Sequence, residues 1–144
     1  MTPTLKGRIQ TRITLLLLIG LPVGLGFGLG MQRIALAFAL LGFALLIGLL
    51  LDPFYAYLQA RRWDGDWPPL LMLIAGCLEG SILWLIVEAI AAWQIQPFSP
   101  FFAISARLFW LMYSTIWFVM FITNLGLLNI FFPYRRFKGG RLWD

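Results

Sequence analysis

Glu79, Glu88 and Arg107 sit inside long apolar runs of this chain. A charge at the centre of a bilayer costs about 2.5–3.5 kcal/mol on insertion scales, so each calls for a partner or a task. Glu88 lies near the end of one apolar run and Arg107 near the start of the next. At about 1.5 Å per residue the two reach similar depth in a hairpin, which predicts a Glu88–Arg107 ion pair. The alternative is that both snorkel to the headgroups.

Glu79 falls near the midplane of its run, and no basic residue is expected at its depth. It has two readings. One is a proton or cation site, because intramembrane carboxylates mark ion pathways. The favoured one is a polar clamp, in which a neutral Glu79 carboxyl donates a hydrogen bond to Tyr113, Ser114 or Thr115 on the next helix. Its own face carries the small residues Ala75 and Gly76, which invite close approach by a neighbour.

Other chemistry is poorly supplied. There is no histidine and one cysteine, Cys77. The commonest general base and axial haem ligand are therefore missing, and no catalytic group, metal site or cofactor is predicted. Asp64 and Asp66 flank a glycine, but two carboxylates are too few oxygens for a hard cation. The run Gly24-Leu25-Gly26-Phe27-Gly28 lacks the preceding strand of a phosphate-binding loop. The chain is read as a non-enzyme with no nucleic-acid partner.

The elements that must position these residues follow from composition. Of 144 residues, 61% are hydrophobic and 12% charged, against roughly 45–50% and about 25% in soluble domains. Apolar runs cover residues 13–30, 34–58, 68–93 and 101–132, each near or above the roughly 20 residues that cross a bilayer. Asp52 and Pro53 close the uncharged part of the second. The fourth, at 32 residues, exceeds one crossing, so part of it should leave the lipid. The prediction is an all-α polytopic membrane protein, residues 1–144 forming one four-helix up-down-up-down bundle.

The basic residues orient it. Lys6, Arg8 and Arg12 precede the first span, Arg61 and Arg62 lie in the second loop, and Arg135, Arg136, Lys138 and Arg141 follow the fourth. The positive-inside rule then puts both termini in the cytoplasm. A bacterial inner membrane is expected, with thylakoid and organellar membranes also open. The first span is read as retained rather than as a cleaved signal, since no small-x-small site closes it.

Gly20, Gly24 and Gly28 form a ridge on the first span, and Gly76 and Gly80 repeat the device on the third. Small residues at this spacing pack helices closely. Packing within one chain is favoured over a homodimer seam. Pro22 predicts a kink. On the basic face, the loop 59–69 with Arg61, Arg62, Trp63 and Trp67, and the basic-aromatic tail 133–144, read as surfaces for anionic lipid or a protein partner. Two functions remain: a small integral subunit, assembly factor or scaffold of a larger membrane complex, or a homo-oligomeric ion- or proton-coupled transporter or channel built on Glu79.

Overall fold

A computed structural model of the chain describes residues 3–96 and 98–142, with the backbone alone of residues 135–136. No strand occurs among them. Four helical segments are long and apolar enough to cross a membrane: Leu5–Gly30, Ile34–Ala60, Pro69–Ala92 and Ala106–Phe131. The polypeptide is a multi-pass membrane protein by that criterion.

The first span begins earlier than its hydropathy suggests. Helix α1, Leu5–Leu15, starts at Thr4, whose side chain accepts a hydrogen bond from the Gly7 amide at 3.2 Å. This N-cap satisfies one of the amides that a helix start leaves open. One π-helical turn, Leu16–Gly20, then leads into α2, Leu21–Gly30. Pro22 supplies no amide to the ladder, and the wider turn just before it accommodates that loss. The predicted kink is thus a π-turn in an otherwise continuous helix.

The second span is α3, Ile34–Ala60. It runs through Asp52 and Pro53 without stopping. The third is α4, Pro69–Ala92, opened by the Pro68-Pro69 pair. The long fourth apolar run is divided. The single-turn helix α5, Phe98–Phe101, ends where the run begins; α6, Ala106–Leu125, capped by the Ser105 hydroxyl, follows, then α7, Leu127–Phe131, after a break at Gly126. The run is therefore interrupted at both ends, before Ser105 and again at Gly126. Pro97 lies outside the described residues.

The buried core is apolar and drawn from three spans. Leu36, Ala37, Leu40, Leu83, Val87, Phe109, Met112 and Ile116 pack together. Trp84 and Tyr113 flank Phe109, with ring centroids 4.9 and 6.1 Å away. In lipid such contacts act through dispersion and fit rather than release of water.

The glycines show what that fit requires. A Cβ on Gly24 would overlap the Leu41 side chain, and one on Gly28 would come within 2.8 Å of the Ile34 Cα. A Cβ on Gly20 would meet the Leu16 side chain tightly at 3.3 Å and Leu41 at an ordinary 3.8 Å. This ridge packs α2 against α3, inside one chain. Gly76 and Gly80 do the same between α4 and α6: a Cβ at either would overlap the Trp117 indole or the Tyr113 ring.

Two groups of contacts join the ends of the spans. At one end, Arg33 donates to the backbone carbonyls of Pro100, Phe101 and Ala103. At the other, the Thr4 amide donates to the Gly139 carbonyl at 2.7 Å, and the Leu142 amide donates to the Gln10 side chain at 3.0 Å. The tail, read from its sequence as a surface for lipid or a partner, folds back on α1.

Candidate functional site: a carboxylate–arginine cluster in the bundle

The charge that meets Glu79 is Arg12. Because α1 extends to Leu5, Arg12 lies two turns inside a helix rather than ahead of one. Its guanidinium reaches across to α3 and α4 at once. Nη1 donates to Glu79 Oε2 at 2.8 Å and Nη2 to Glu79 Oε1 at 2.9 Å. Nε donates to Asp52 Oδ2 at 3.2 Å and Nη2 to Asp52 Oδ1 at 2.9 Å. Both carboxylates are held in the two-pronged geometry that makes arginine–carboxylate pairs strong.

Each helix contributes a specific local feature. Asp52 is the residue before Pro53, within α3, and is 1% exposed. Glu79 is 7% exposed and lies between Gly76 and Gly80 in sequence. Gly48, one turn before Asp52, forms the bed for the guanidinium, since a Cβ there would overlap Arg12 Nη1 and Cζ. Ions at such depth persist only when paired and hydrogen-bonded. The cluster binds three helices through one cation.

This corrects three expectations. Glu79 does have a basic partner at its depth. It accepts hydrogen bonds from Arg12 rather than donating to the fourth span. The Tyr113 hydroxyl donates instead to the Gly76 carbonyl at 2.8 Å, and Ser114 and Thr115 donate to carbonyls of their own helix. Tyr113 still ties α6 to α4, one turn from Glu79.

The Glu88–Arg107 pair does not form. Both residues are exposed, and no ion pair joins them among the described residues. Helix rotation decides whether two side chains meet, and here both are exposed. This leaves snorkelling toward the headgroups as their way to lower the cost of a charge.

On the loop side, Arg8 lies with its guanidinium carbon 4.3 Å from the centroid of the Trp67 ring, and Tyr55 packs on that ring at 5.7 Å. Trp67 is therefore buried and unavailable for docking. Trp63 is the reverse, at 95% exposed. Arg61 stacks on Tyr57 at 4.5 Å. Arg62 pairs with Asp64 at 2.9 Å, and this guanidinium holds the Asp64 carboxyl down at about 2. Lys138 is exposed and Arg141 half-buried. The side chains of Arg135 and Arg136, and residues 143–144, lie outside the described residues.

No group of His, Cys, Asp and Glu able to hold a metal occurs among the described residues. No protein-family model, curated sequence or solved structure matches the chain. Its function is therefore argued from the site alone.

Proposed function

We propose that this protein is a small, non-enzymatic integral membrane subunit or scaffold of a larger membrane complex. Its four spans alternate in direction, and both termini lie on the cytoplasmic face of an inner membrane. The contact of Thr4 with Gly139 supports a common side for the two ends. The meeting of Arg12 in α1 with Asp52 late in α3 and Glu79 early in α4 supports the alternation. The basic residues at that end support its cytoplasmic assignment.

The observation that carries the structural reading is the Arg12 fork. An ion-coupling carboxylate must release and rebind its cation or proton. Glu79 has both oxygens engaged by one arginine that also holds Asp52. That arrangement favours a fixed tie over a carrier site, and so weighs against transport through Glu79.

The docking surface proposed is the end bearing Trp63 and Phe137, which are 95% and 91% exposed, beside Arg61 and Lys138. Tryptophan and arginine dominate interface hot spots. Purification in mild detergent from the native membrane, with mass spectrometry of co-migrating proteins, tests the reading. The expected result is a stoichiometric foreign partner that is lost from the W63A variant. A lone homodimer showing pH-dependent uptake in liposomes would overturn it.

A further inference from the structure

Three contacts fix the register of α4 against α6. Gly76 lies against the Trp117 indole and Gly80 against the Tyr113 ring. Trp84 packs on Phe109, with ring centroids 4.9 Å apart. Each turn forward along α4 is therefore a turn back along α6. The next turn sets Glu88 level with Ser105, and Arg107 then lies about 3 Å deeper than Glu88, two residues at the helical rise. The two charges are level to within the reach of their side chains.

Both are exposed, and neither forms an ion pair among the described residues. Each heads an exposed stripe of its helix. On α4, Glu88 shares its face with Ser81 and Cys77, and on α6, Arg107 shares its face with Ser114 and Phe118. The two serine hydroxyls are already spent on carbonyls of their own helices, so they need no polar partner, and small side chains let a facing helix come close. A charge facing lipid is costly, and within one chain each of the two is left to snorkel.

Opposite charges at one depth on two packed helices make a face that is complementary to itself. A two-fold axis along the membrane normal preserves depth and sets α4 of one copy against α6 of the other. Glu88 of each copy then meets Arg107 of the other, and both pairs form together. We propose that two copies of this chain associate through the α4–α6 face and are joined by two reciprocal Glu88–Arg107 ion pairs. Pairing offsets in lipid the cost that each ion carries alone. An unlike partner needs an acid and a base of its own at matching depths, whereas a second copy supplies both by symmetry. The inference goes beyond the scaffold reading and is compatible with it: Trp63 precedes α4 and Glu88 lies near its far end, so the dimer keeps the docking end exposed.

The full chain, labelled with donor or acceptor dye, is reconstituted into phosphatidylcholine vesicles at falling protein-to-lipid ratio. No other protein is present, so the result is separate from the search for a foreign partner. Energy transfer with the concentration dependence of a dimer is expected. E88R and R107E each set like charges face to face and should weaken association about tenfold or more. Mixing E88R copies with R107E copies should restore it, because every charged contact across the seam of that heterodimer again joins an acid to a base. Pairing within one chain, or snorkelling, predicts no effect of mixing. A parent that stays monomeric, single variants that associate like the parent, or a mixture no better than its components would each overturn the proposal. If charge reversal prevents insertion, cysteine variants decide. In a C77S background, which removes the one native thiol, E88C copies mixed with R107C copies should be joined by a short bismaleimide, while either alone should not. That mixed dimer still keeps one Glu88–Arg107 pair, so the absence of a crosslink in the mixture would overturn the proposal as well.

Discussion

Arg12 and Glu79 stand 67 positions apart in the chain and are joined by two parallel hydrogen bonds of 2.8 and 2.9 Å. With Asp52 on its other edge, the guanidinium is the point where α1, α3 and α4 are tied. The energetics of such a tie are asymmetric. Removing the cation strands two buried carboxylates, whereas replacing all three residues with apolar ones strands nothing.

That asymmetry gives the first prediction. R12Q should lose about 3–5 kcal/mol of unfolding free energy, read as denaturant unfolding in mixed micelles. The triple variant R12M/D52L/E79L should recover most of that loss. R12K should fall between them, because an ammonium cannot grip both carboxylates with a planar fork. A triple variant as unstable as R12Q would refute the tie as drawn.

Gly48 supplies an independent check on the same geometry. The guanidinium is the flexible end of its side chain, but four hydrogen bonds hold it over Gly48, so a methyl there must break some of them. G48A should cost about 1–3 kcal/mol, in the range of overpacking. G42A, on the same helix where a Cβ meets nothing within 4 Å, should be neutral or stabilising by up to about 1 kcal/mol, the helix-propensity gain. The penalty of G48A should shrink in the R12M/D52L/E79L background. A penalty of the same size in both backgrounds would show that Gly48 is crowded by something other than Arg12.

The sequence disclosed the four apolar spans and their approximate limits, because hydropathy over some twenty residues is a strong and local signal. It also marked Glu79 as a residue needing a partner. It did not reveal the partner. Arg12 looks like part of a basic flank because hydropathy averages the polar turns of α1, Leu5–Leu15, out of the span. Asp52 looks like a terminator because it precedes proline. The available signals were the N-cap Thr4, which starts a helix eight residues before Arg12, and the near-equal depth of Arg12, Asp52 and Glu79 from the same end of their helices. The Glu88–Arg107 expectation failed for a related reason. Depth is legible from position in the span, but rotation about the helix axis depends on packing that no local pattern encodes. The glycines fared better, since Gly24, Gly28, Gly76 and Gly80 each sit where a neighbouring side chain or backbone leaves no room for a Cβ.

Outside the membrane, the Arg62–Asp64 pair sets a pH-dependent turn. Asp64 accepts from Arg62 Nε and Nη2 at 3.0 and 2.9 Å, and from the Asp66 amide at 3.2 Å. These contacts lower its carboxyl from 3.8 to about 2, with Arg62 the largest cause. A depressed carboxyl favours the folded turn above its ordinary value, and that contribution is lost as pH falls from 3.8 through about 2. Carboxyl NMR of the protein in micelles should give Asp64 a midpoint near 2. R62Q should raise the midpoint toward the ordinary value, and high salt should raise it in part, because the pair is open to solvent. A midpoint unaffected by R62Q would assign the depression to the Asp66 amide instead.

The clasp between the two chain ends combines a backbone bond with side-chain bonds from Thr4 and Gln10, and Gly7 is its tightest point. A Cβ on Gly7 would overlap the Gly139 carbonyl oxygen and come within 2.8 Å of the Gly140 carbonyl carbon. Backbone atoms cannot swing aside as a side-chain end can. Gly139 is held in turn by Thr4, whose amide donates to its carbonyl at 2.7 Å and whose hydroxyl does so at 3.1 Å. Gly139 and Gly140 both have positive φ, which other residues adopt at a cost. G7A should therefore release the tail while leaving the spans folded. Hydrogen exchange should show the Leu142 amide, bonded to Gln10 in the parent, losing its protection in G7A. The amides of α3 and α4 should exchange as before. If the tail amides stay protected in G7A, the tail is held by contacts other than this one. If α3 and α4 lose protection with it, the clasp is part of the bundle's cooperative core rather than a separate latch.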